Sequence, residues 1–168
     1  VEAMPLRLTD GTEVTIREIR ADDKDLLAAG HARLSERSRL RRFLGPKPRL
    51  TKSDLRYLTE VDGTNHYAVV ALLGPDIVGV ARWVRLVDDA QTAEAAIVVG
   101  DPLQGKGLGK ILARELADAA RARGVRRIRA SILSDNPPAH ALMRVIAQRL
   151  TDGGHDQGVH ELVAELAA

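Results

Sequence analysis

Val98-Val99-Gly100-Asp101-Pro102-Leu103-Gln104-Gly105-Lys106-Gly107-Leu108-Gly109-Lys110 carries the chain from an apolar strand into an amphipathic helix through a loop of bare backbone. Glycine lacks a Cβ and reaches dihedrals closed to other residues, so successive amide N–H groups can turn toward one point. That point lies at the positive end of the helix beginning near Leu108. Amides converging on a helix N-terminus bind phosphate oxygens. The stretch predicts a strand, an anion-binding loop and a helix, the unit of a mixed α/β fold.

Three phosphate motifs compete for these residues. Gly100 to Lys106 satisfies G-x-x-x-x-G-K, but Gly107 stands where a Ser or Thr hydroxyl should hold Mg²⁺. The dinucleotide fingerprint G-x-G-x-x-G fails too, because Lys110 occupies the place of its third glycine. Gln104-Gly105-Lys106-Gly107-Leu108-Gly109 meets the third pattern in full. It resembles the Q/R-x-x-G-x-G/A pyrophosphate-binding segment of the GNAT superfamily of N-acetyltransferases, which is set between a strand and a helix in the same way.

Upstream of the loop, Thr92 to Val99 reads as a strand, preceded by strands at His66 to Leu73 and Ile77 to Leu86 joined through Gly74-Pro75-Asp76. Alternation from Glu13 to Arg20 predicts the first strand. Between lie three helices: one capped by Asp22 and running to Leu34, a short arginine-rich one from Ser35 to Leu44, and one capped by Thr51 or Ser53. Downstream, Leu108, Ile111, Leu112, Leu116 and Ala119 recur at helical spacing up to a C-cap at Gly124. A strand at Arg127 to Leu133, a helix at Pro137 to Leu150 and a strand at Val159 to Leu166 complete the chain. Leu150 to His155 offers a short partner strand interrupted by glycine.

The expected architecture is one α/β (α+β) domain over residues 1–168, with a mixed, mostly antiparallel central sheet flanked by helices. That order resembles the GNAT fold over nearly the whole chain. Arg41-Arg42-Phe43-Leu44, Leu58-Thr59-Glu60-Val61-Asp62, Ala93-Glu94-Ala95-Ala96-Ile97 and Leu133-Ser134-Asp135-Asn136-Pro137 further resemble bacterial protein lysine acetyltransferases.

The resemblance implies acetyl-CoA as cosubstrate and direct transfer to an amine, with a protein lysine favoured. The amides of Gly105, Gly107, Leu108 and Gly109 then receive the pyrophosphate, and Lys106 and Lys110 add charge. Gln104 braces the loop or reaches a phosphate. The backbone of Ile97 and Val99 pairs with the pantetheine arm, and an amide near Val98 or Val99 serves the oxyanion. Asn136 bonds the pantetheine or caps the following helix. Glu94 is the only acid of its strand and shares a face with Ala96 and Val98, so it is the candidate base, with a carboxyl expected to be buried. Where the family often carries a tyrosine acid, this chain has Met143, while Ser134 is an alternative aid to the departing thiolate.

Composition narrows the field. With 168 residues, 45% of them hydrophobic, the chain can bury a core of its own. It has no Cys, which excludes disulfides and thioester relays through a cysteine. The five His show no H-x-x-x-H spacing, so no metal site is expected. No segment reaches the roughly 20 apolar residues of a membrane span, and a cytoplasmic protein is expected. Aromatic residues are 2%, too few for base stacking, so the clustered arginines argue weakly for nucleic acid. The acceptor, acyl preference and oligomeric state are not legible. A small-molecule amine acceptor and a catalytically silent acyl-CoA-binding module stand as alternatives.

Overall fold

A computed structural model describes residues 3–168. Eight strands form one sheet in the order β1-β2-β3-β4-β5-β6-β8-β7. They are β1 (Met4–Arg7), β2 (Glu13–Glu18), β3 (His66–Leu73), β4 (Asp76–Arg85), β5 (Thr92–Val99), β6 (Arg127–Leu133), β7 (Arg149–Asp156) and β8 (Val159–Glu165). Helices α1 (Lys24–Arg33), α2 (Glu36–Phe43) and α3 (Lys52–Thr59) lie between β2 and β3, α4 (Leu108–Ala122) follows β5, and α5 (Pro137–Ile146) follows β6. Every pairing is antiparallel except β5 with β6. Among the described residues, no helix is long and apolar enough to cross a membrane.

Strand alternation sorts side chains between two cores. One face of the sheet packs on α4 and α5, with Tyr67, Val69, Trp83, Ala93, Leu108, Leu112, Leu116 and Ile128 at its centre. The other face carries Ala68, Val70, Ile77 and Val80 against Leu27 of α1 and Leu58 of α3. Trp83 is fully buried, stacks on Tyr67 with centroids 5.6 Å apart, and donates its indole N–H to the Leu116 carbonyl.

Caps follow the expected chemistry. Ser35 begins α2 and accepts from the Ser38 N–H, while Thr51 and Asp54 form a reciprocal capping box on α3. Asp22 is not the cap of α1. Residues Ala21–Asp23 form a 3₁₀ turn, and Asp23 turns inward to meet the guanidinium fork of Arg17 with two contacts of 2.8 Å. The side chains of Arg17 and Asp23 are only 10% and 3% exposed.

The feature that shapes the site is where pairing stops. Strands β5 and β6 share only the register Thr92↔Arg127, Ala93↔Ile128 and Glu94↔Arg129, after which β6 pairs with β8 alone. Residues 95–99 therefore keep one sheet edge bonded to β4 and leave the other unpaired.

Candidate functional site

The gap between β5 and β6 opens into a cavity lined by Ala95, Ile97, Ala130, Ile132, Asn136 and Met143. Which amides face it follows from the antiparallel ladder with β4. The Gly100 N–H donates to the Val78 carbonyl at 2.8 Å, so Val98 and Ala96, two and four residues earlier, also point toward β4. The backbones of Ala95, Ile97 and Val99 point into the gap. Val98 also borders the cleft, but its backbone polar groups are turned to β4, and its side chain packs against the α1 and α3 cluster. Of the two amides considered for the oxyanion, Val99 alone faces the gap.

A cleft of about 550 Å³ continues from this gap to the glycine loop, lined by Val99, Gln104, Gly105, Gly107, Gly109 and Lys110 together with Arg41 and Asn136. Gly105 and Gly107 hold φ values of +77° and +89°. The α4 helix that follows has no acid in its first turn and no side-chain cap, so its leading N–H groups are open toward the cleft. Leu108 contributes backbone only, since its side chain is fully buried.

The polar side chains of the loop divide in ways the sequence left open. Gln104 braces the loop, donating its amide to the Val99 carbonyl at 3.0 Å and the Ser38 hydroxyl at 3.2 Å. Lys106 turns away from the cleft to an ion pair of 2.9 Å with Asp10, and its carbonyl accepts from Thr9, tying the loop to the β1–β2 turn. Compensating charge at the cleft comes instead from Lys110 and Arg41, the latter anchored by a 2.6 Å donation to the Asp135 carbonyl. Asn136 is the N-cap of α5, its side-chain oxygen 3.4 Å from the Ala139 N–H, and it lines both cavity and cleft. Asp101 was missed by sequence reasoning: it accepts from the Ser35 N–H and from the hydroxyls of Ser35 and Ser38, pinning α2 to the loop. Burial pushes its carboxyl up, but these donors outweigh that and hold it below the usual range.

Glu94 stands at the other end of the gap, on the face of the sheet opposite α4. The expected burial is not found. Its side chain is 44% exposed and Arg129, its register partner on β6, donates to Oε2 at 3.1 Å. The parallel register brings these residues side by side, a relation invisible before the strands are paired. Glu94 lines a groove with Arg42, Phe43, Tyr57, Arg82 and Ser131. Tyr57, distant in sequence, is 58% exposed here and packs against His66.

Arg42 and Arg82 give this groove its electrostatic character. Arg82 is 4% exposed and donates to the Leu58 carbonyl and to His66, while its Nε has no partner. Arg42 rests on the Phe43 ring at 4.5 Å. Among the described residues, no carboxylate pairs with either guanidinium. Burial pushes Arg42 down to about 10, and burial together with Arg42 pushes Arg82 down to about 9. Burial and Arg82 likewise lower His66 to about 4.

The one candidate aid to a leaving thiolate, Ser134, is engaged elsewhere, and Met143 stands where the family often has a tyrosine. Met143 is buried and lines the gap without a proton to give, and the Ser134 hydroxyl donates to the Gly158 carbonyl in the β7–β8 turn.

Residues 32–146 match the family model described as the acetyltransferase (GNAT) family. A Pseudomonas aeruginosa acetyltransferase is 35% identical over 118 residues, 68% of this chain and 63% of that protein. The acetyltransferase Pat of Mycolicibacterium smegmatis is 33% identical over 123 residues, covering 71% of this chain and 36% of that protein. The matched region thus spans less than two thirds of either relative. The crystal structure of the GNAT domain of the S. lividans PAT superposes with a TM-score of 0.88 at 28% identity, covering 98% of this chain and 97% of that one.

Proposed function

The chain belongs to the GNAT acetyltransferase family, and from that premise we propose that it moves an acetyl group from acetyl-CoA directly to an amine, favouring a lysine on a protein. The observation that carries this reading is the unpaired edge of residues 95–99, running between an open helix N-terminus and a carboxylate. Pyrophosphate fits the amides of Gly105, Gly107, Leu108 and Gly109, with Lys110 and Arg41 supplying charge. The pantetheine amides fit Ile97 and Val99 as an added strand would. This geometry delivers the thioester toward Glu94.

A lysine of pKa near 10.4 is neutral in about one molecule in a few thousand at pH 7. Glu94 accepts its proton, directly or through a water, using the oxygen that Arg129 leaves free. The neutral nitrogen attacks the thioester carbonyl, and collapse of the tetrahedral intermediate expels CoA thiolate. A thiol of pKa about 8.5 leaves without a dedicated acid, which accommodates Met143. The transfer uses no metal. Arg42 and Arg82 support an acceptor that carries negative charge near the amine, such as a lysine flanked by acidic residues. The relatives named Pat and PAT support a protein acceptor.

Isothermal titration with acetyl-CoA, followed by mass spectrometry of lysine peptides with acidic or neutral flanks, tests the reading. Micromolar binding and acetylation, faster for acidic flanks, are expected. Binding without turnover of any amine supports the silent module that Met143 also fits, and absence of acetyl-CoA binding overturns both. Gly107→Ala sharpens the assignment of the loop. A Cβ there sits on a residue with φ of +89° and 3.4 Å from Thr9 Cγ2. Loss of about 1–2 kcal/mol of stability is expected from the left-handed conformation. Weaker acetyl-CoA binding accompanies it, both read by melting and titration.

A further inference from the structure

The β7–β8 hairpin gathers histidines that the H-x-x-x-H pattern does not catch, His155 and His160 having four residues between them. His155 and His160 are directly opposed across the hairpin, and Asp152 faces Leu162. Ordinary alternation would send Asp152 and His155 to opposite faces, since they are an odd number of residues apart. A bulge between Asp152 and Gly154 inserts one residue and returns both to the face of His160 and Leu162. Gly154, with φ of +105°, supplies a backbone conformation that favours glycine, and a Cβ on Gly153 would crowd the Glu161 side chain at 3.1 Å. The Gly154 N–H then donates to Asp152 Oδ1 at 2.7 Å and fixes the carboxylate.

The hydrogen-bond chain behind this cluster determines where protons sit. His140 Nδ1 lies 2.8 Å from the Asn136 carbonyl, which only accepts, so Nδ1 bears the hydrogen and donates. In neutral His140, Nε2 is therefore an acceptor. His160 Nδ1, 3.1 Å away, must donate to it. In neutral His160, Nε2 is then a bare lone pair. That atom is shielded from solvent, has no hydrogen-bond partner, and sits 3.1 Å from Asp152 Oδ1, another acceptor. Two facing acceptors repel unless a cation stands between them.

We infer that Asp152, His155 and His160 form a Zn²⁺ site that fastens the β7–β8 hairpin to α5. Their donor atoms all lie within 4.8 Å of one another. Bonds of about 2.0–2.1 Å in a tetrahedron set donors about 3.3 Å apart. The His160 and Asp152 atoms already have close to that separation. His155 is exposed and stacks on His160 with centroids 3.8 Å apart, so a turn of its ring brings in the third donor. Two imidazoles, a carboxylate and a water make a donor set suited to zinc. His140 and the Asn136 carbonyl are the outer partners that fix the His160 tautomer. The site lies outside the transfer cleft but meets it at Asn136, the cap of α5.

Zn²⁺ titration of the EDTA-stripped, tag-free chain, read by calorimetry and by competition with a chromogenic chelator, tests the inference. One equivalent bound with micromolar or tighter affinity is expected, with loss of that site in His155→Ala and His160→Ala. His155 is exposed, so its variant stays folded even where His160→Ala does not. His140→Ala is expected to weaken zinc about 10–100-fold. Nitrogen-detected NMR reads the alternative occupant. No zinc binding with His160 protonated on both nitrogens, so that a proton fills the gap, overturns the site, as does stoichiometric zinc binding that survives His155→Ala and His160→Ala together.

Discussion

Glu94→Gln is expected to lower the rate of acetyl transfer by about 10²–10⁴-fold, the usual contribution of a positioned base. Acetyl-CoA affinity should be unchanged, because the glycine loop and the gap-facing amides lie beyond Glu94 along β5. The amide oxygen of glutamine still accepts from Arg129. An exposed ion pair of this kind is worth only about 0–1 kcal/mol, so the fold should barely register its loss. Steady-state kinetics beside acetyl-CoA titration separates the outcomes: equal losses in kcat and affinity would remove Glu94 from the chemistry. Raising the pH should restore part of the variant's rate, since more of the acceptor amine is then neutral without help.

Asp23→Asn is expected to give the largest loss of stability, about 3–5 kcal/mol, because it leaves the Arg17 guanidinium buried against a neutral amide. Burial alone would raise the Asp23 carboxyl, but the Arg17 fork and the Arg20 N–H outweigh it and hold it below the ordinary range. A depressed carboxylate contributes its full stabilisation above the unfolded value near 3.9, and that contribution disappears as pH falls through the folded value. Urea melts of the parent should therefore weaken steeply in acid, while those of Asp23→Asn show a shallower slope there. The double variant Arg17→Met with Asp23→Leu should recover much of the loss, as apolar replacements of buried pairs do. Failure to recover would mean that the Asp23 contact to the Arg20 backbone matters more than the charge pair.

Elements that bury one face at a regular period were legible in the sequence. Strand β6 spans Arg127–Leu133 and β5 spans Thr92–Val99 as read, because each keeps an apolar face under a helix. Strand β1 escaped notice: Met4-Pro5-Leu6-Arg7 is short, largely exposed and lies at the sheet edge, where proline is tolerated and no alternation is enforced. The predicted helix at Pro137 to Leu150 ends at Ile146, and Arg149 already belongs to β7, whose residues are almost all exposed. The short partner strand expected at Leu150 to His155 is β7, longer by one residue at each end despite its polar and glycine content.

At the site, local motifs were readable and pairings between distant segments were not. The strand and helix on either side of the glycine loop stand where they were read, and the role expected of the loop rested on that setting and on its resemblance to the GNAT segment. Lys106 shows the limit: a cation beside a phosphate loop reads as a ligand, yet Asp10 claims it from a turn 96 positions away. The contacts of Glu94 with Arg129, of Arg42 and Arg82 with one groove, and of three histidines around one hairpin all depend on register and on a bulge. The expectation of no metal site looked for H-x-x-x-H and passed over His155 and His160, which stand with four residues between them, a spacing zinc ligands also use.

Only three residue pairs join β5 to β6, so the central sheet is mechanically two plates sharing a short seam. A bound cosubstrate lying along residues 95–99 would act as the missing length of that seam, letting strain cross from β1–β5 to β6–β8. Loading the cosubstrate first would brace the floor of the acceptor groove before the amine arrives, which gives an order of addition a mechanical origin.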